Sequence, residues 1–181
     1  MRRAESDPDA AEPAGQSGPD VEIRRARTPE LDAVGQLTLA AYSFDGFAHA
    51  DYASRLSDAA TRDREAEIWV AATPDELLGC VTYCPPGSPW RELAGDDTDG
   101  EFRMLAVAPT ARGRGVGSLL VHRCLDRSRE LGQRRMLLCT DRRMVAAHRL
   151  YAAFGFTRLP ALDWSPVAGV ELLAYSLQLR S

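Results

Sequence analysis

From Glu101 to Leu120 the chain reads EFRMLAVAPTARGRGVGSLL, and this stretch decides the fold. Phe102, Met104, Leu105, Ala106 and Val107 form a short apolar run ended by Pro109, the pattern of a strand. Phe102 and Met104 share one parity, whereas Leu105 and Val107 share the other. Burial on both faces allows such a phase change, and so does a β-bulge near Leu105 that re-aims side chains beside a site. Arg112-Gly-Arg-Gly-Val-Gly117 then opens a helical pattern carried by Leu119, Leu120, Val121, Cys124, Leu125 and Leu131. Glycines at every second position keep side chains off the backbone where a helix begins. The free N–H groups and dipole of a helix start attract anions, and Arg112 and Arg114 add positive charge. The arrangement predicts a cradle for a diphosphate.

Two familiar nucleotide loops do not fit. A nucleoside-triphosphate loop ends Gly-Lys-Ser/Thr, and this one has no lysine. A dinucleotide loop runs GxGxxG straight from its strand, with an acid about 20 residues on. Here the glycines run GxGxG, Ala108 to Arg112 intervene, and no acid stands near Leu137 at that distance.

Arg112, Gly115 and Gly117, following Val107 and Pro109, resemble the acyl-CoA loop Arg/Gln-x-x-Gly-x-Gly/Ala of the GCN5-related N-acetyltransferases. A second stretch, Ala146-Ala-His-Arg-Leu-Tyr151-Ala-Ala-Phe-Gly-Phe156, resembles the last helix of the same family, Ala-x-x-Leu-Tyr followed by Gly-Phe. The resemblance covers about residues 21–180. It implies a single-domain mixed α/β fold with a centrally splayed β-sheet flanked by helices, the acyl-CoA N-acyltransferase fold. It further implies acetyl-CoA as co-substrate and direct transfer of an acetyl group to a small-molecule or peptide amine.

By the same resemblance, backbone at Leu105, Ala106 and Val107 pairs with pantetheine, while Arg112, Gly113, Arg114, Gly115, Val116, Gly117 and Ser118 hold the pyrophosphate. Tyr151 stands where the family protonates the departing thiolate; a tyrosine that merely packs its helix on the sheet is the competing reading. Met144 occupies a cofactor-contacting position where many members carry Asn. Glu101, six residues before Val107, is the nearest match to the family's base, with His148 and Asp141 as alternatives. A non-catalytic acyl-CoA sensor or a partner-binding domain on the same scaffold is the competing function.

The rest of the chain sets bounds. A length of 181 residues suits one domain with a real core. A net charge of −4 argues against nucleic acid as the main partner. Cys80, Cys84, Cys124 and Cys139 form no CxxC, and His49, His122 and His148 form no metal pattern, so buried thiols and no metal are expected. No apolar run reaches membrane-spanning length and no signal-peptide core follows Met1, so a cytoplasmic protein is expected. Self-association as a homodimer stays open.

Residues 1–19, rich in Ala, Pro, Gly, Ser and Asp, read as a disordered tail, with the domain occupying 20–181. Strands are expected from Val21, over Ile68–Ala72 and Leu77–Tyr83, at the opening stretch, over Arg135–Thr140 and Phe156–Arg158, and from Val170. Helices are expected after a Thr28 cap, from His49 to Arg62, after Gly117, and from Met144 to Phe154. The long loop between Cys84 and Gly100 carries Glu92, Asp96, Asp97 and Asp99, close to Glu101. With Asp45, Asp51 and Asp58 these acids suggest a cationic acceptor.

Overall fold

The computed structural model describes residues 21–179, so the tail expected at 1–19 lies outside them. Seven strands form one sheet: β1 (Glu22–Arg25), β2 (Glu67–Ala72), β3 (Leu77–Cys84), β4 (Asp99–Val107), β5 (Arg135–Asp141), β6 (Thr157–Arg158) and β7 (Leu172–Gln178). Their order is β1-β2-β3-β4-β5-β7-β6, antiparallel at every pairing except β4 with β5. The helices are α1 (Leu31–Phe44), α2 (Ala50–Ser57), α3 (Ala59–Glu65), α4 (Val116–Glu130) and α5 (Val145–Ala153). Leu31, Val34 and Ala41 of α1 pack on Ile68, Val70 and Cys80 on one face of the sheet. Leu120, Val121 and Cys124 of α4, with Tyr151 of α5, pack on Leu78, Val81, Phe102 and Met136 on the other.

The phase change in the opening stretch is a bulge. Cys80 lies opposite Ala106 and Thr82 opposite Arg103, so Val81 alone faces both Met104 and Leu105. Met104 adopts φ +51°, a left-handed conformation that costs a non-glycine residue about 1 kcal/mol or more. Phe102 therefore joins the α4 face, Met104 packs beside Leu56 and Trp90 on the α2 side, and Leu105 returns to the α4 face. The expected bulge near Leu105 is present, displaced by one residue.

Strands β4 and β5 pair only at Asp99, Gly100 and Glu101, opposite Arg135, Met136 and Leu137. That closed end is clamped. The Arg135 guanidinium donates to both Asp99 oxygens at 2.8 and 2.7 Å, and Gln133 Nε2 donates to the Asp99 carbonyl at 2.8 Å. Gln133 Oε1 accepts from the hydroxyls of Ser128, at 2.7 Å, and Tyr83. Beyond Glu101 the two strands part, which is the central splay that the resemblance implied.

Two local expectations change. Arg27, rather than Thr28, takes the cap position before a 3₁₀ turn at Thr28–Glu30, and the Glu30 carboxylate accepts its N–H at 2.8 Å. The single helix expected from His49 to Arg62 is two, because Asp58 leaves helical geometry and its carboxylate caps α3 by accepting the Thr61 N–H at 3.0 Å. Arg62, fully buried, donates to the carbonyls of Arg55 and Leu56 at 2.8 and 2.6 Å, satisfying the end of α2.

Helix α2 crosses α1 at Gly35, where an added Cβ would stand 2.0 Å from the Ser57 carbonyl oxygen. Backbone cannot yield as a flexible side chain would. Gly35→Ala should therefore destabilise the fold by about 1–3 kcal/mol, the usual cost of overpacking, as measured by urea denaturation. Wild-type stability in this variant would show that the two helices separate freely.

Candidate active site

The parted strands open a cavity of about 840 Å³ that runs from the glycine loop, past β4, to α2 and the 85–98 loop. Gly113 and Gly115 adopt φ +74° and +78°, and a Cβ on either would meet nothing within 4 Å. The left-handed backbone explains why glycine stands there. The open space explains what its missing side chains leave free. Gly115 caps α4, whose first-turn amides from Val116 to Ser118 have no partner within the helix. A diphosphate fits this cradle by charge and by room.

Leu105, Ala106 and Val107 line the cavity along the edge of β4 that β5 has left. An extended chain bearing amides, such as pantetheine, can pair with that edge as a missing strand would. Met144 lines it as well, its sulfur accepting the Thr140 hydroxyl at 3.4 Å. A thioether therefore occupies the place where many members of the resembled family carry an Asn amide.

Tyr151 lines the cavity from α5, 5% exposed, with Phe102, Phe156 and Tyr175 around its ring at 5.8–6.3 Å between centroids. Among the described residues its hydroxyl has no hydrogen-bond partner, so it is not the packing tyrosine with its OH tied to backbone. Burial pushes its pKa up from the usual 10.0, so the phenol keeps its proton in the site.

Glu101 is placed elsewhere. It is 2% exposed and does not line the cavity. Its carboxylate accepts the backbone N–H groups of Glu92 (2.9 and 3.1 Å), Leu93 (2.9 Å) and Ala94 (3.0 Å). The residue expected to act as base is thus the anchor of the long loop. Arg114 is exposed and stands outside the cavity as well. His148 does not line it either; its Nε2 lies 3.1 Å from the Asp141 carbonyl and its ring packs on Tyr175.

Arg112 does line the cavity, but it reaches across to α1. Its guanidinium donates to both oxygens of Asp45 at 2.8 Å and lies 4.9 Å from the centre of the Phe44 ring. Asp141 is held by Arg143, whose backbone N–H and side chain donate at 2.8–3.0 Å and keep its pKa below the usual 3.8. Glu92 Oε1 lies 2.6 Å from Arg103. Among the described residues no hydrogen bond reaches Glu92 Oε2. Of the carboxylates in the cavity, only Glu92 has, among the described residues, an oxygen that accepts no hydrogen bond.

The acids of the loop do not make the cavity negative. Asp96 accepts from Thr98, exposed Asp97 pairs with Arg91, Asp99 with Arg135, and Glu101 is spent on backbone. Asp58 caps α3, and Asp45 is matched by Arg112. The expected acidic funnel for a cationic acceptor is therefore absent among the described side chains. Among the described residues no group of three or more His, Cys, Asp or Glu is arranged for a metal ion, and no helix is long and apolar enough to cross a membrane.

This parted sheet, with a glycine cradle at one end of the gap and a protonated phenol in it, has the architecture of acyl-CoA-dependent transferases. Residues 31–156 match the model of the acetyltransferase (GNAT) family, and the chain belongs to that family. A mycothiol acetyltransferase of Cellulomonas flavigena is 33% identical over 70% of this chain and 41% of its own. An amino-acid acetyltransferase of Mycobacterium tuberculosis is 30% identical over 76% of this chain and 68% of its own. The chain spans between a third and half of the length of the mycothiol acetyltransferases first matched. Among solved structures, yncA of Salmonella typhimurium with its cofactor acetyl-CoA superposes with a TM-score of 0.64 at 21% identity, covering 89% of this chain and 95% of that one.

Gly115→Asp places a charged side chain in the open space of the cradle at a position where Asp tolerates positive φ better than most residues. Acetyl-CoA affinity measured by calorimetry should fall at least about tenfold, the worth of one charge-assisted hydrogen bond, while the circular dichroism of the fold is retained. Unchanged affinity in the folded variant would remove the pyrophosphate from this loop.

Proposed function

We propose that this protein transfers the acetyl group of acetyl-CoA to the amine of a small molecule, directly and within one ternary complex. The observation that carries this reading is the continuity of one cavity. It joins the glycine cradle, the open edge of β4, the Tyr151 hydroxyl and Glu92. The names of the similar proteins, mycothiol acetyltransferase and amino-acid acetyltransferase, favour a small acceptor over a peptide. All four cysteines are free and three are buried, which supports a reducing, cytoplasmic setting.

Acetyl-CoA supplies an activated thioester. The first-turn amides of α4 hold its diphosphate, and the β4 edge orients its pantetheine. Glu92 receives the acceptor's ammonium at Oε2 and takes one proton, which passes to solvent; the free amine then bonds to the acetyl carbon, and Glu92 takes the second proton from that nitrogen and passes it to solvent as well. Tyr151 gives its phenolic proton to the sulfur as the carbon–sulfur bond breaks, then regains one from solvent. The products are the amide, CoA thiol and one proton, so atoms and charge balance. Glu101 serves this scheme only by holding the loop that carries Glu92.

A non-catalytic sensor on the same fold would need neither a buried phenol without a partner nor a carboxylate oxygen left open. The test between the two is thiol release from acetyl-CoA against a panel of amines; no release with any amine overturns the catalytic reading.

Tyr151→Phe should lower kcat at least about tenfold with little change in acetyl-CoA affinity, because the lost hydroxyl acts mainly in the transition state. Since burial raises the Tyr151 pKa, its proton-donating form persists to higher pH, and wild-type kcat should show no falling limb below about pH 10 from this group. Wild-type turnover in Tyr151→Phe would return the ring to packing. Glu92→Gln should lower kcat/KM at least about tenfold, read by the same thiol assay, and an unchanged value would place the proton acceptor elsewhere.

A further inference from the structure

Four guanidiniums line the cavity, those of Arg55, Arg103, Arg112 and Arg143, against the three carboxylates of Asp45, Glu92 and Asp141. Each carboxylate is bound to one guanidinium: Asp45 to Arg112, Glu92 to Arg103, Asp141 to Arg143. Arg55 is the fourth. It stands on α2, exposed, and its guanidinium lies 5.0 Å from the centre of the Trp90 ring. The Arg103 guanidinium lies 5.8 Å from the same ring and also donates to the Trp90 carbonyl at 3.0 Å. Trp90 is itself fixed, 7% exposed, with Nε1 donating to Glu65 at 2.8 Å.

The position of this cluster matters. Arg103 precedes the bulge at Met104, whereas the glycine loop follows the end of β4 ten residues later. Arg55 and Glu92 therefore line the end of the cavity away from the diphosphate cradle, with Trp90 packed against the Arg55 and Arg103 guanidiniums. An indole face holds a guanidinium in place while leaving its N–H fork free. A guanidinium held this way matches a carboxylate with two parallel hydrogen bonds.

We infer that the acceptor is an amino acid or a similar zwitterion, its carboxylate held by Arg55 on Trp90 and its amine by Glu92. The inference rests on the amine-acetylation reading above and names the substrate class of that same cavity. It reverses the expectation of a cationic acceptor. A bare cation would meet two carboxylates with both oxygens taken, one open oxygen on Glu92, and the Arg55 guanidinium, which repels it.

The experiment compares free L-amino acids with their C-terminal amides by CoA-thiol release, in the wild type and in Arg55→Gln and Arg55→Lys. Amidation lowers the basicity of the amine and so favours attack, which makes preference for the acid a stringent result. Wild-type kcat/KM should be at least about tenfold higher for an acid than for its amide, the worth of one hydrogen bond to a charged group. Arg55→Gln should bring that ratio close to one, and Arg55→Lys should restore part of it. Circular dichroism of both variants confirms their fold, since the exposed Arg55 side chain touches the core at the Trp90 ring. Amides accepted as well as acids by the wild type would overturn the inference while leaving acetyl transfer intact. So would an unchanged ratio in folded Arg55→Gln. No thiol release with any amine would overturn both.

Discussion

Strands β4 and β5 hold together for three residues and then separate, and every functional feature of the molecule lies in or beside the gap. The separation has two causes acting at opposite ends. At the closed end, the Arg135–Asp99 pair and the Gln133 network fix the strands in register. At the open end, the bulge at Met104 turns β4 away and leaves Leu105 to Val107 without a partner on that side. Unpaired strand edges ordinarily invite aggregation, and proteins cover or blunt them. Here the edge is sheltered inside a cavity walled by α5 and the 159–171 segment. Only a ligand of extended shape and amide character can complete it.

Because the chain has no lysine, its cavity ion pairs all use guanidiniums, and two of them take the forked form. Arg112 binds both oxygens of Asp45 and ties the glycine loop to the end of α1, and Arg143 binds both oxygens of Asp141 beside α5. Lysine would give a point contact and a looser wall. These pairs set the walls of the cavity more than they set its charge.

The sequence exposed the proposed cofactor half far better than the proposed acceptor half, for a physical reason. A phosphate cradle is local. Its glycines, the strand before it and the helix after it lie within twenty residues, and Tyr151 announces itself by its neighbours Leu150 and Phe156. Even the bulge left a trace, as a change of apolar parity between Met104 and Leu105. The acceptor half is assembled from α2, the 85–98 loop and β4, whose meeting no spacing records. Asp45 and Arg112 lie 67 residues apart, and the acids of the loop looked like one negative cluster until each was seen with its own partner. Glu101 misled for the same reason. Its place at the start of the strand was legible, but the three amides that fold back onto it were not.

That arrangement at Glu101 has a consequence for motion. Three successive amides of the loop end on one carboxylate, so any displacement of that carboxylate releases all three together. The segment from Glu92 to Ala94 is therefore a single cooperative unit of local opening, released or held as a whole. Glu92, which begins that unit, is presented to the cavity by backbone that a single buried carboxylate holds in place.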